Sequence, residues 1–369
     1  MAQDLRAYAP AWLQAIQQRA SFLRQRCFDY ISLLGSSLPI LSTRRPDTDP
    51  DAHILQQRHP LLHANAESSE EYLVLSDGRK VGVAYYGAQS GPVVFYLHGF
   101  PGSRLSGTFF DTPGKKLGAR IIAVDRPGIG NSSPQPGRTI FNHANDVREI
   151  AELLGVESYG IIGVSGGGPY ALACAYLLPK ENLKAVSILA GMGPIDIGTR
   201  GMNWSNWFIF NGFMYFPFII RWIQNKLVAT LATVSNEKIV ALVERQLSKP
   251  SNRQFMYTAT DIAILRDPDF LSMMLNFYRE HYKQGVDGHM EDGRVLTTNL
   301  GFRLQDIRPS LPIQMWYSKD DTNVPFRMAR AMAERLSCPP QFHAISDETH
   351  LSLVLKYSAD VLEHLLEKL

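Results

Sequence analysis

Short apolar runs separated by segments of helical spacing dominate the chain from about residue 70 onward. Residues 93–97, 121–124, 159–162 and 185–189 are continuous or nearly continuous apolar stretches, as expected of strands buried on both faces. Between the second and third, residues 140–154 repeat apolar side chains at three- and four-residue steps and stop at Gly155, which predicts a helix with a glycine end signal. Residues 169–178 are alanine-rich and helix-like. Near the C-terminus, residues 313–317 and 342–345 resume the strand pattern, with a helix expected between them over about 325–336. Residues 72–75 and 81–86 flank Asp77-Gly78, a hairpin signal. Strands alternating with helices predict an α/β protein with a mostly parallel sheet and helices on both faces.

Two stretches break that pattern. From residue 193 to about 300 the strand signal disappears, and helical segments such as 239–247 and 270–282 take its place. Nine of the nineteen residues from 204 to 222 are aromatic, dense enough to predict either a packed core or an aromatic-lined acyl pocket in a helical cap over the sheet. At the other end, Trp12, Ile16, Ala20, Leu23, Cys27, Ile31 and Leu34 recur at helical steps with Gln and Arg between them. They predict an amphipathic helix, followed by a Pro-, Ser- and Asp-containing linker. The expected organisation is an N-terminal helix and linker over 1–69, a core over 70–192 and 301–369, and a cap over 193–300. A helix docked on the core is the favoured reading of the N-terminus. Membrane-surface contact through residues 1–35 and organelle targeting are the competing ones.

The chain has 369 residues, 45% of them hydrophobic and 20% charged, ample for a large core. A net charge of +2 gives no reason to expect a nucleic-acid partner. The three cysteines, Cys27, Cys174 and Cys338, are too far apart to form a disulfide framework or metal site. They suit a reducing compartment, so a cytoplasmic location is expected. No run of 18 or more apolar residues predicts a membrane span.

The chemistry concentrates at Gly163-Val164-Ser165-Gly166-Gly167, a G-x-S-x-G between an apolar strand-like run and the alanine-rich helix. A serine at the tip of such a turn is projected as a nucleophile, and small neighbours let strand and helix close around it. Serine needs a base oriented by an acid. His350 follows the last strand and precedes an apolar helix-like run, which places it at a strand's carboxyl end. Its competitor His343 lies inside the strand and reads as structural. Asp321, after the strand over 313–317, is the expected acid, with Asp196 as the alternative. Two backbone donors are needed for an oxyanion. The Gly166 N–H is one, and the Phe100 N–H in His98-Gly99-Phe100-Pro101-Gly102 is the other, because Pro101 has no N–H. His98 reads as a structural hydrogen-bonding group and Asp125 as a loop-fixing one.

These motifs resemble the α/β-hydrolase superfamily, whose serine-nucleophile members use the order Ser165, Asp321, His350. The His98–Gly102 loop, Asp125-Arg126-Pro127-Gly128, and the run from Gly163 to Tyr170 resemble a capped branch of it. The resemblance implies an eight-stranded, mostly parallel sheet with an inserted helical cap over residues 70 to the end. It implies a serine hydrolase acting on an ester, thioester or related acyl bond of a small hydrophobic substrate, with no cofactor and no metal. Lyase, cyclase or aminopeptidase-like chemistry, and non-catalytic ligand binding, are the alternatives on the same fold. Two departures stand out: Ser318 and Thr349 occupy positions where the family usually carries glycine.

Overall fold

The computed structural model of the chain describes residues 72–247 and 258–369. The helix and linker expected over residues 1–69 lie outside them. An eight-stranded sheet organises the described residues: β1 (Tyr72–Val74), β2 (Lys80–Gly87), β3 (Val93–Leu97), β4 (Arg120–Val124), β5 (Tyr159–Val164), β6 (Leu183–Leu189), β7 (Ile313–Ser318) and β8 (Gln341–Ile345). Their spatial order is β1-β2-β4-β3-β5-β6-β7-β8. The hairpin β1–β2 and the β2–β4 pair are antiparallel. Every later pairing is parallel.

The apolar runs that predicted these strands divide between two cores by strict alternation. In β3, Phe95 and Leu97 enter one core while Val94 and Tyr96 enter the other. In β4, Ile122 and Val124 part from Ile121 and Ala123 in the same way. One core is closed by α2 (Ile140–Leu153), α3 (Gly168–Leu177) and α10 (Phe326–Arg335). The other is closed by the turn preceding α1 (Asp111–Leu117), where Phe109 and Phe110 are buried, and by α11 (His350–Leu366). Both faces of the sheet are therefore covered, which is why its central strands carry no polar alternation. Cys174, on α3, is fully buried and packs as a small apolar residue.

Between β6 and β7 the chain leaves the sheet and runs through α4 (Trp204–Tyr215), α5 (Pro217–Thr233), α6 (Asn236–Leu247), α7 (Ala259–Leu265), α8 (Pro268–His281) and α9 (Asp287–Leu296). The dense aromatics of α4 and α5 have divided roles. Phe210 and Phe213 are buried, whereas Tyr215, Phe216, Phe218 and Trp222 are at least half exposed. No helix among the described residues is long and apolar enough to cross a membrane.

Candidate active site

Ser165 stands where β5 turns into α3, with φ at +52°. A side chain with Cβ avoids that region unless its surroundings enforce it. Three constraints do so here. The Met192 N–H, from the loop after β6, donates to the Ser165 carbonyl at 2.8 Å. Val164 is extended while Gly168 is already helical, so the reversal falls on the residues between. Gly167 lies so close to the Leu97 carbonyl that a Cβ there would collide with backbone. The turn thus holds the hydroxyl outward at the carboxyl ends of the central strands, where open α/β sheets place their ligands.

Asp321 comes from the loop after β7, and His350 from the start of α11, just beyond β8. The Ser165 hydroxyl lies 3.0 Å from His350 Nε2, and His350 Nδ1 lies 2.7 Å from Asp321 Oδ2. The other carboxylate oxygen, Oδ1, accepts the Asn323 N–H at 2.7 Å and the Val324 N–H at 2.9 Å. One oxygen is thereby fixed by backbone, and the second faces the imidazole. That arrangement places the proton on Nδ1 and leaves the Nε2 lone pair toward the serine. The Asp321 side chain is fully buried and that of His350 is 17% exposed. Burial disfavours the imidazolium. The Asp321 carboxylate, by charge and hydrogen bond, and Asp261 at longer range outweigh it and raise the His350 pKa.

The alternatives fall away from this cluster. Asp196 is half exposed and paired with Arg335 at 2.6 Å. Asp320, next to Asp321 in the chain, accepts the Asp347 N–H at 2.9 Å. His343 is stacked on Trp316, with ring centroids 3.6 Å apart. His350 is the first residue of α11, because Thr349 caps the helix by accepting the Ser352 N–H on its hydroxyl. Ser318 donates its hydroxyl to the Glu348 carbonyl at 2.5 Å, joining the end of β7 to the segment that carries His350. The two departures from glycine therefore tether the loops that bear Asp321 and His350.

Phe100 and Gly166 are in direct contact. A Cβ added to Gly166 would stand 2.9 Å from the Phe100 nitrogen. The Phe100 N–H has no acceptor among the described residues, and Pro101 follows it in a cis peptide. Phe100 and Gly166 can thus present adjacent backbone N–H groups beside Ser165.

The loop bearing Phe100 is held by groups whose role the sequence did not announce. Arg126 donates to the His98 carbonyl at 2.5 Å and to the Gly99 carbonyl at 2.8 Å. Its guanidinium is in turn bound by Asp292, from α9, through contacts of 2.7 to 3.0 Å. Asp292 also accepts from Arg138 at 2.7 Å and from the Tyr170 hydroxyl at 2.5 Å. Burial alone would raise the Asp292 pKa, but Arg126 and Arg138 hold it far below the usual carboxylate range. On the far side of the loop, His281 Nδ1 lies 2.7 Å from the Gly102 carbonyl and His281 Nε2 lies 2.9 Å from His289 Nδ1. Burial pushes the His281 pKa down to about 4, so it acts there as a neutral hydrogen-bonding group. His289 stacks on the Phe100 ring with centroids 4.5 Å apart.

A signal for Asp292 exists in the sequence. His289, Asp292, Gly293 and Leu296 recur at helical steps and are all buried, so a single carboxylate sits on the face of α9 that the fold covers. His98 and Asp125 behave as structural groups. His98 is fully buried beside the Gly99 carbonyl. Asp125 accepts from the Arg104 backbone and guanidinium and from the Asn131 N–H. No group of three or more metal-ligating side chains suited to an ion exists among the described residues.

Comparison with known proteins agrees with this architecture. The family described as alpha/beta hydrolase fold matches residues 92–357. A bifunctional esterase/perhydrolase of Acinetobacter calcoaceticus is 28% identical over 133 residues, 35% of this chain and 47% of that protein. Epoxide hydrolase B of Mycobacterium tuberculosis is 33% identical over 115 residues, 30% of this chain and 32% of that protein. The matches thus span less than half the length of these curated relatives. Among solved structures, a carboxylesterase of Nitrososphaera gargenis aligns with a TM-score of 0.56 at 17% identity, covering 80% of this chain and 98% of that one. An enol-lactonase of Burkholderia xenovorans aligns with a TM-score of 0.54 at 16% identity, covering 80% of this chain and 100% of that one. At those identities the likeness is one of fold.

Proposed function

The chain belongs to the alpha/beta hydrolase fold family, and on that premise we propose that it is a serine hydrolase cleaving an ester, thioester or related acyl bond. The observation that carries the reading is the chain of contacts from Ser165 Oγ to His350 Nε2 at 3.0 Å and from His350 Nδ1 to Asp321 at 2.7 Å.

Ser165 Oγ attacks the carbonyl carbon while His350 Nε2 takes its proton. Asp321 holds the imidazole in the required tautomer and stabilises the imidazolium. The carbonyl oxygen, now an alkoxide, is held by the Phe100 and Gly166 N–H groups. Collapse of the tetrahedral intermediate breaks the bond to the leaving group, which takes the proton from His350. Water, deprotonated by the same imidazole, then attacks the acyl-enzyme and releases the acid and free Ser165. A serine at the elbow, where an aspartate would form an alkyl-enzyme ester, favours acyl substrates over epoxides.

Residues 193–300 are read as a cap, and the substrate as a small hydrophobic acyl compound. Support for the latter is the buried ring cluster at the oxyanion loop, where Phe210 and Phe213 pack on Phe100 at 6.2 and 5.8 Å. For the N-terminal segment, docking on the core is the favoured proposal, and membrane-surface contact through residues 1–35 is the competing one. Purified protein challenged with acyl esters, thioesters, lactones and aminoacyl amides should turn over the acyl esters or thioesters fastest. Preferential cleavage of aminoacyl amides, or turnover of none of these, would refute the acyl-ester assignment.

A further inference from the structure

The charged cluster around Asp292 spans three parts of the chain that meet at the oxyanion hole. Arg126, beyond the end of β4, reaches the carbonyls of His98 and Gly99, the two residues directly before Phe100. Tyr170, on the helix that begins just after Gly166, gives its hydroxyl to Asp292. Asp292 itself belongs to α9 of the helical insert. The side chains of Arg126, Arg138 and Asp292 are all fully buried.

A carbonyl that accepts a rigid guanidinium fixes the peptide plane to which it belongs. The peptide joining Gly99 to Phe100 contains both the Gly99 carbonyl, bound by Arg126 at 2.8 Å, and the Phe100 N–H, the predicted oxyanion donor. Those two groups point in opposite directions from one planar unit. Fixing the carbonyl therefore aims the N–H. Arg126 can do this only while its own orientation is fixed, and Asp292 fixes it with two carboxylate oxygens. The Asp292–Tyr170 bond then links that orientation to the helix following Gly166, the other donor.

On the reading of the chain as a serine hydrolase, we propose that Asp292 is a positioning residue for the oxyanion hole, aiming the Phe100 N–H through Arg126 and registering it against the Gly166 side through Tyr170. The insert thereby contributes to transition-state stabilisation from a residue that touches no substrate. Arg138 supplies the second positive charge that keeps the carboxylate ionised.

The test is the time course of fluorophosphonate labelling in the full-length protein. The final amplitude reports the fraction of molecules with an assembled site. The rate constant reports how well that site stabilises the developing oxyanion. Asp292→Asn should lower the rate constant by about tenfold or more, short of the roughly 10²–10³ expected for outright loss of a donor. The midpoint of its pH dependence should stay at the wild-type value, because His350 and Asp321 are untouched. Arg126→Lys should produce a similar loss, and the double variant should be little worse than the poorer single one, since both act on one peptide. Tyr170→Phe keeps both ion pairs and provides a gentler variant, expected to lose severalfold in rate at full amplitude. Variants that lose amplitude but label at the wild-type rate would show a merely structural role and overturn the proposal. Wild-type protein that does not label at Ser165 would overturn the hydrolase reading itself, an outcome visible before any variant is made.

Discussion

Ser165 and His350 are separated by 185 positions in the chain and by 3.0 Å between Oγ and Nε2. Sheet order explains the meeting. β5, which delivers Ser165, is separated from β8 only by β6 and β7, all parallel. Parallel strands present their carboxyl ends on one side, so the elbow after β5 and the loops after β7 and β8 open together.

The raised pKa of His350 sets the pH profile. Only the neutral imidazole accepts the serine proton, so activity should fall as pH falls through a midpoint above the ordinary histidine value of about 6.5. Asp261→Asn removes one of the charges that raise it. A plot of log kcat/KM against pH should show the midpoint moving downward in that variant, and an unmoved or raised midpoint would contradict the assignment. For stability the sign is reversed: protonated His350 favours the fold at low pH, and that contribution is lost as pH rises through the raised folded-state value.

Asp321→Asn should leave the fold in place, because the amide oxygen can still accept the Asn323 and Val324 N–H groups. The amide NH₂ then faces His350 Nδ1 and favours the wrong tautomer. Turnover should fall by roughly 10⁴-fold with little change in the unfolding midpoint, measured by steady-state kinetics beside thermal denaturation.

Gly167→Ala forces a Cβ into the Leu97 carbonyl, an atom of backbone in a central strand that has nowhere to go. A loss of about 1–3 kcal/mol is expected from the overlap, with a lower denaturation midpoint and loss of serine labelling. An active variant of wild-type stability would show that the elbow is looser than its contacts imply.

Thr349→Ala removes the cap of the helix that begins at His350. About 1 kcal/mol of stability should go with it. Turnover should fall further than that loss explains, because the imidazole sits on the frayed turn. Equal losses in folded fraction and in activity would assign Thr349 a structural role alone.

What was legible in the sequence follows from what local pattern encodes. The strands over 93–97 and 121–124 announced themselves as apolar runs because both faces of the sheet are covered. That Ser165, His350 and Asp321 would meet was legible because each lies just beyond a strand end, and the parallel strands bring those ends together. The capping of α11 was not read, although Thr349 and Ser352 stand at the spacing of a capping box. The Arg126–Asp292 pair was still less accessible. Its members lie 166 residues apart, and no propensity or spacing rule links a loop arginine to an aspartate inside a helical insert. Asp292 differs from a solvated carboxylate only by its place on the buried face of α9. The aromatics over 204–222 carried an ambiguity that composition alone leaves open, since buried Phe213 and exposed Phe218 belong to the same run.

The central claim is that Ser165 is a nucleophile activated by His350. It is tested most directly by treating the wild-type protein and a Ser165→Ala variant with a fluorophosphonate and mapping the adduct by peptide mass spectrometry. One phosphonyl group on Ser165 in the wild type, and none anywhere in the variant, is the predicted result. Labelling that persists in Ser165→Ala, or a wild-type protein that remains unlabelled while folded, would contradict it.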